Sequence, residues 1–381
     1  MPASSWTTTF LNEQRQIGDP YADATLAAIV QESGALGARE LFDLLIRRIE
    51  TPLTELPDIA ATYLNATDRL PEGTDQHRIE RAQALFLDHG PKMLLLLYFR
   101  SLPLLYSCAH GAQVLVQTSR LTRAEGDFRI FARRIAETAQ FLLAVMQPDG
   151  LLPRAEGIQH IQKVRLVHAS IRHFLRGGLW DDTAWGVPVN QEDMAITLLT
   201  FSITLIEGLE QFGITVPQQA IEDWQYTWNA VGRLLGLREP LLAADSVAAR
   251  RLETQILAHQ SAPSEAGQLL TQALLDFVNT HLPLQKFKLD AGDMLRFAIG
   301  PDRAADLGVT AASGCLGWVA PQILASLFRA GERLEDRAPE HRRSLFDELS
   351  RLSVRASVHI FDAYKQRSFS IPSSLQQAWQ L

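Results

Sequence analysis

The chain predicts an all-α fold, and three observations carry that prediction. Apolar residues recur at intervals of three and four over most of its length, without the sustained two-residue alternation of a half-buried sheet. Helix starts and stops punctuate this pattern at ordinary helix lengths, among them Thr74, Asn190 with Asp193 three residues on, and Gly177-Gly178. No linker rich in Pro, Gly and Ser and no internal repeat divides the 381 residues, so a single helical domain over 1–381, with additional helices at both ends, is the economical expectation.

Taken in order, amphipathic segments cover 23–32 and 38–49, separated by Gly34 and Gly37, then 56–65 and 74–89, the last opened by Thr74 as an N-cap. His89-Gly90-Pro91 reads as a break, because proline has no N–H to donate and its ring crowds the preceding turn. Beyond it 92–106 and 109–117 are markedly apolar and begin the central core. Gly126 and Asp127 introduce a helix to Met146, closed by a turn-rich loop at 147–153. A helix over 161–176 stops at Gly177-Gly178, and a loop at 179–190 leads to Asn190, which forms with Asp193 a capping box that uses the shorter acid. Helices at 191–211, 217–235, 242–259 and 264–282 follow, then an irregular piece at 282–288, an apolar stretch at 315–328 and a final helix at 339–366 begun by Pro339.

The bulk numbers narrow the function. A hydrophobic share of 46% with 21% charge is that of a globular protein able to bury a large core. A formal net charge of −7 argues against non-specific nucleic-acid binding, which makes any cluster of arginines a local feature. Cys108 and Cys315 are too few for a disulfide framework and form no CxxC pair, and the first residues lack the basic and apolar regions of a secretory signal. A reduced, cytoplasmic setting is therefore expected. The most apolar run, 93–99, ends at Arg100 and Pro103, far short of the roughly 20 residues of a membrane span, so no stable membrane insertion is expected. GxGxxG, P-loop, HExxH and GxSxG signatures are all missing.

One helix stands out. At about 100° per residue, Arg165, His168, Arg172 and Arg176 fall within an arc of roughly 80°, and Val164, Val167, Ile171, Phe174 and Leu175 fill the adjoining arc. His168 thus sits at the seam of a cationic and an apolar face. Like charges so crowded repel, so something anionic should lie opposite them: a carboxylate of another helix, or the propionates or phosphates of a cofactor. A helical histidine amid aliphatic neighbours suits axial ligation of haem, with Arg165, Arg172 and Arg176 on the propionates. The helix alone is more often the mark of a core histidine flanked by salt-bridged arginines, with acids such as Glu192 and Asp193 as the partners.

On the preceding helix Ile130, Arg134, Glu137, Thr138 and Phe141 share a face, a polar trio that can line a small-molecule pocket or be a solvated face with an Arg–Glu pair. His173 points about 140° from His168 and cannot join it on one metal. His110 reads as a capping or core residue, His77, His259 and His341 as surface, Cys108 and Cys315 as packing, and Trp180, Trp185, Trp224 and Trp228 as core.

Read together, Ser119-Arg-Leu121, Arg133-Arg134 with Thr138, Val164 to Arg172, Pro188 to Met194 and Trp228 to Gly236 resemble the latex-clearing-protein and rubber-oxygenase family, which includes an oxygenase of mycophenolic acid biosynthesis. The resemblance covers about 90–240 well and the flanks poorly. It implies a globin-like helical core around a b-type haem, with His168 as the proximal iron ligand, Arg165 and Arg172 as its companions, and Arg134 and Thr138 on the distal side. Where rubber-cleaving members carry a distal lysine this chain has Glu137, which is expected to move protons or to pair with Arg133 or Arg134. Glu125 lies near, but not in register with, that family's catalytic base. The expectation is a cytoplasmic haem b oxygenase or oxidase that uses O2 on an apolar, unsaturated small molecule, with Arg134, Glu137 and Thr138 as catalytic groups. Rubber itself is not expected as substrate. A haem-binding carrier or sensor without turnover and a haem-free helical scaffold are the rival readings.

Overall fold

The computed structural model describes residues 6–47, 57–119, 129–176, 180–287, 289–310, 326, 330, 345–363 and 373–379. Within these the protein is built of helices, α1 (Thr8–Arg15), α2 (Pro20–Arg47), α3 (Asp58–Ala66), α4 (Gln76–Leu96), α5 (Leu102–Ser107), α6 (Ala109–Ser119), α7 (Arg129–Met146), α8 (Glu156–Leu175) and α9 (Asp182–Trp185). They continue as α10 (Gln191–Phe201), α11 (Ile203–Gln211), α12 (Gln218–Leu234), α13 (Ser246–Gln260), α14 (Glu265–His281), α15 (Ala291–Ile299), α16 (Pro301–Asp306), α17 (Leu345–Ala363) and α18 (Ser373–Trp379). No β-strand occurs among the described residues, where the sole β feature is an isolated bridge between Cys108 and Ser261. One hydrophobic cluster takes in side chains from Trp6 to Trp379, with small satellites where α2 and α3 meet α8. None of the helices is long and apolar enough to cross a membrane among the described residues.

The expected break at His89-Gly90-Pro91 is absent: α4 runs through it to Leu96. Two contacts from α18 make this possible. Pro91 leaves the carbonyl of Leu87 without its helical donor, and the Trp379 indole N–H supplies one at 2.8 Å. Gly90 gives that indole room, since a Cβ there would lie 2.1 Å from Trp379 Cζ2. The sequence between α4 and α5 is then taken up by a π-helical turn, Leu97–Ser101, which offsets the register ahead of Pro103.

Other boundaries shift for equally local reasons. The glycine pair between the first two segments becomes a kink within α2, with Gly34 at φ 70°. Asp75 rather than Thr74 caps α4, its carboxylate accepting from the N–H groups of His77 and Arg78. The helix expected over 191–211 divides at Ser202, whose carbonyl turns out to accept from the Trp224 indole at 3.1 Å. The Asn190–Asp193 cap forms, the Asp193 N–H donating to Asn190 Oδ1 at 3.0 Å and the Asn190 amide returning a bond to Asp193 Oδ2 at 2.8 Å. The apolar stretch 315–328 lies almost wholly outside the described residues, and the last expected helix is described only as α17.

Candidate functional site

α7 and α8 are joined by a short turn at 147–155 and pack along one another, closest at their linked end. Gly157, in the first turn of α8, allows that approach: a Cβ there would meet the Ala144 carbonyl at 2.7 Å. Farther along the pair, His168 on α8 faces the region of Arg134 on α7, and the two interact electrostatically. Both side chains lie deep in the protein.

The imidazole of His168 is neutral at any physiological pH. Burial, reinforced by the cations of Arg172 and Arg134 against the opposing pull of Asp19, lowers its pKa to about 3. Its Nδ1 is buried and has no hydrogen-bond partner. A neutral histidine with an unsatisfied interior nitrogen is the protonation state that a metal requires.

Three arginines surround it with different degrees of pairing. Each nitrogen of Arg165 has a partner: Nε and Nη2 bind Asp19 at 2.6 and 2.9 Å, Nη1 donates to the Leu234 carbonyl at 3.1 Å, and the guanidinium lies over the Tyr21 ring at 5.4 Å. Arg172 binds Asp23 through Nε at 2.7 Å and the Val189 carbonyl through Nη1 at 3.0 Å, yet its Nη2 is buried with no partner. Arg134 has only a long contact to Thr118 Oγ1 at 3.5 Å and, among the described residues, no carboxylate in salt-bridge contact; burial lowers its pKa, with the nearby Tyr106 hydroxyl and the charge of Glu137 opposing. Arg176 pairs with Asp182 at the surface.

The arginines of α8 therefore do meet carboxylates, but from the start of α2 and from α9, not from Glu192 and Asp193. Those two acids bind Arg15 at 3.2 and 3.1 Å, and Glu192 also binds His259 at 2.7 Å. His259, read from sequence as a surface residue, belongs to this half-buried cluster. The motif residues around α8 have matching roles. Gly236, at φ 85°, is crowded by Asp19 and Arg165, where a Cβ would lie 2.2 Å from Asp19 Oδ2. Gln191 ties the Gly18 and Gly236 carbonyls together at 2.7 and 3.0 Å, bracing the loop that carries Asp19.

On α7 the expected polar trio divides. Thr138 donates to the Arg134 carbonyl at 2.9 Å and lines an interior cavity. Glu137 is 58% exposed and pairs with Arg133 at 2.8 Å across one helical turn. This is the pairing with Arg133 that the sequence offered beside a proton-moving role, and it holds the Glu137 carboxylate toward solvent while Thr138 lines the interior. Ile130 has its backbone but not its side chain described, and Arg120, Leu121, Glu125, Cys315 and His341 lie outside the described residues.

Sequence reasoning missed Tyr106, Thr118, Asp19 and Asp23. The α2 acids are more than 140 residues from α8 in the chain, and no local periodicity joins them. The arrangement can hold a metal-centred, anionic cofactor: a neutral buried imidazole as ligand, with unmet donors on Arg172 and Arg134 for negative groups.

Comparison with known proteins gives this geometry a setting. A family model described as ER-bound oxygenase mpaB/B′/rubber oxygenase, catalytic domain, matches residues 93–355. The rubber oxygenase of Streptomyces sp. (strain K30) is 24% identical over 267 residues, which make up 69% of this chain and 63% of that protein, so the match spans less than two thirds of the relative's length. The solved structure of latex clearing protein LCP in the closed state aligns with a TM-score of 0.66 at 20% identity, over 97% of this chain and 91% of that one, which shows a common fold.

Proposed function

The chain belongs to the mpaB/B′ and rubber-oxygenase family, and on that premise we propose that it is a haem b-dependent oxygenase acting with O2 on an apolar, unsaturated small molecule. The observation that carries the reading is the set of unmet interior groups: His168 Nδ1 and Arg172 Nη2, both buried without partners, beside a buried Arg134 that makes no salt bridge with a described carboxylate. These residues fit a b-type haem. His168 would ligate the iron and Arg172 would hold a propionate, while Arg165, already paired with Asp19, fixes the orientation of α8. When bound, the haem supplies the oxygen chemistry.

The chain's own residues supply the surroundings. Arg134 presents a desolvated positive charge, whose attraction for a developing negative charge is strengthened by the lack of water. The Thr138 hydroxyl spends its proton on the Arg134 carbonyl, so toward a substrate it acts as an acceptor and fixes the α7 backbone beneath Arg134. A cytoplasmic setting is part of the proposal, supported by a chain with two cysteines and no CxxC pair.

The test is spectroscopic. Protein produced with ample haem should show a Soret band that shifts with CO on reduction, and His168→Ala should lose the band while keeping its far-UV circular dichroism. Wild-type protein without a Soret band, or a variant with full haem, defeats the proposal. Haem binding with no O2-dependent product from any aliphatic alkene would leave a carrier or sensor in its place.

A further inference from the structure

Next to Thr138, on the side of α7 that meets α4, the π-helical turn and α17, lies a small, narrow cavity, partly open to solvent. Leucines of α4 and the π turn, Ile135, Ala139 and Val354 make its walls apolar, and among the described residues no charged side chain lines it. At one end three hydroxyls gather: Tyr98, Ser353 and Ser357.

Ser357 donates its single proton to the Ser353 carbonyl at 2.9 Å, so the 3.1 Å contact between Tyr98 and Ser357 has the phenol as donor. The Tyr98 oxygen is left with free lone pairs. Burial pushes the Tyr98 pKa up to about 12, against the Ser357 bond that lowers it, so the phenol remains protonated. Ser353 differs from the other serines of its helix. Ser350 and Ser357 each bond a carbonyl of the preceding turn, the usual habit of a helical serine, whereas Ser353 is 2% exposed and its Oγ neither donates nor accepts.

The cavity thus offers one unused donor, on Ser353, beside unused acceptors, on Tyr98 and Ser353, within apolar walls. A ligand hydroxyl satisfies both kinds at once. An ether or ketone satisfies the donor alone. A carboxylate would be desolvated there with no cation to meet it.

We infer that this cavity binds the hydroxyl-bearing end of a neutral aliphatic molecule, whose oxygen accepts from Ser353 and donates to Tyr98 while its chain lies along the apolar walls toward Thr138. Taking that molecule as the substrate rests on the oxygenase proposal; the binding preference does not. Thr138 lines the cavity and bonds Arg134 from one turn away, so a chain so anchored would run to the candidate site.

The experiment is calorimetric titration of the full chain with n-octanol, octyl methyl ether and octanoate at neutral pH. Octanol should bind at least about fivefold more tightly than the ether, and octanoate should give no measurable heat. Ser353→Ala should weaken octanol by about tenfold and leave the thermal midpoint equal or higher, because it removes a hydroxyl with no partner. Tyr98→Phe should erase the preference for octanol over the ether. Ser353→Leu should abolish binding of both by filling the space. Octanoate binding like octanol, an unchanged affinity in Ser353→Ala, or no binding of any probe overturns the inference. Haem content is read on the same samples: a Soret band without the alcohol preference defeats this inference alone, and the preference without a Soret band defeats the oxygenase proposal alone.

Discussion

Two kinds of buried polar region lie on either side of α8, and they are finished to different degrees. Toward α2, Arg165 and Asp19 satisfy one another in a bidentate pair with side chains only 11% and 3% exposed. Elsewhere on the helix, His168 Nδ1 and Arg172 Nη2 are buried without a hydrogen-bond partner, and Arg134 across on α7 makes only a 3.5 Å contact with Thr118. A buried donor left open costs about 1–3 kcal/mol, which a bound acceptor would return. Closed networks hold this helix in place, and open ones mark where something else is to bind.

The comparison breaks most sharply at the two arginines. Arg165→Met strands the buried Asp19 carboxylate and is expected to destabilise the protein by about 3 kcal/mol in urea unfolding. Arg134→Met removes a desolvated charge that no described acid contacts, and stability should change by less than about 1 kcal/mol while O2-dependent turnover collapses. Equal losses of stability in the two variants would show that Arg134 is as much a structural tie as Arg165.

A third region extends the contrast, because it is buried and holds an acid away from its ordinary pKa. Glu253 on α13 accepts from the Thr204 hydroxyl, yet burial and the neighbouring Glu207 raise its pKa to about 7 from its ordinary 4.5, against the pull of Arg100 and Arg303. Between those two values the folded protein holds a proton that the unfolded chain has lost, so stability falls as pH rises from about 5 to about 7. Glu253→Gln should flatten that fall, leaving the variant on the order of 2 kcal/mol more stable than wild type at pH 8 and close to it at pH 5, measured by denaturation at both. A wild-type curve that does not fall across this window would place the charge of Glu253 in the company of a partner.

The contrast between closed and open regions also explains what was legible in the sequence. Helical periodicity showed the all-α class, and capping chemistry located α10 through Asn190 and Asp193. The Arg165–His168–Arg172 spacing singled out α8 because all three lie on one helix. Their partners did not show, since Asp19 and Asp23 come from an element whose own pattern is unremarkable. Pro91 misled for the same reason: proline breaks a helix when its orphaned carbonyl finds no donor, and the donor here, Trp379, lies 292 residues from Leu87. Ser353 is one helical serine among several until its neighbours are seen to have spent their protons and it has not. Local rules are written in the sequence, and the remote partner that suspends a rule is not.

Glu137 gives the smallest effect and the finest discrimination. The structure places it in the solvated company of Arg133, where an i,i+4 pair contributes about 0.3–0.5 kcal/mol and is screened by salt. Glu137→Gln should therefore shift stability by no more than that and leave both haem content and the pH profile of turnover unchanged, whereas a proton carrier at this position would lose the limb of the profile that reports its ionisation. Raising the salt to about 0.5 M, where the screening length is only a few ångströms, should erase the residual stability difference between variant and wild type. If the difference survives salt, or the profile changes shape, the carboxylate turns inward during turnover and the boundary between the closed and open sides of α7 lies one residue nearer to solvent than its resting geometry indicates.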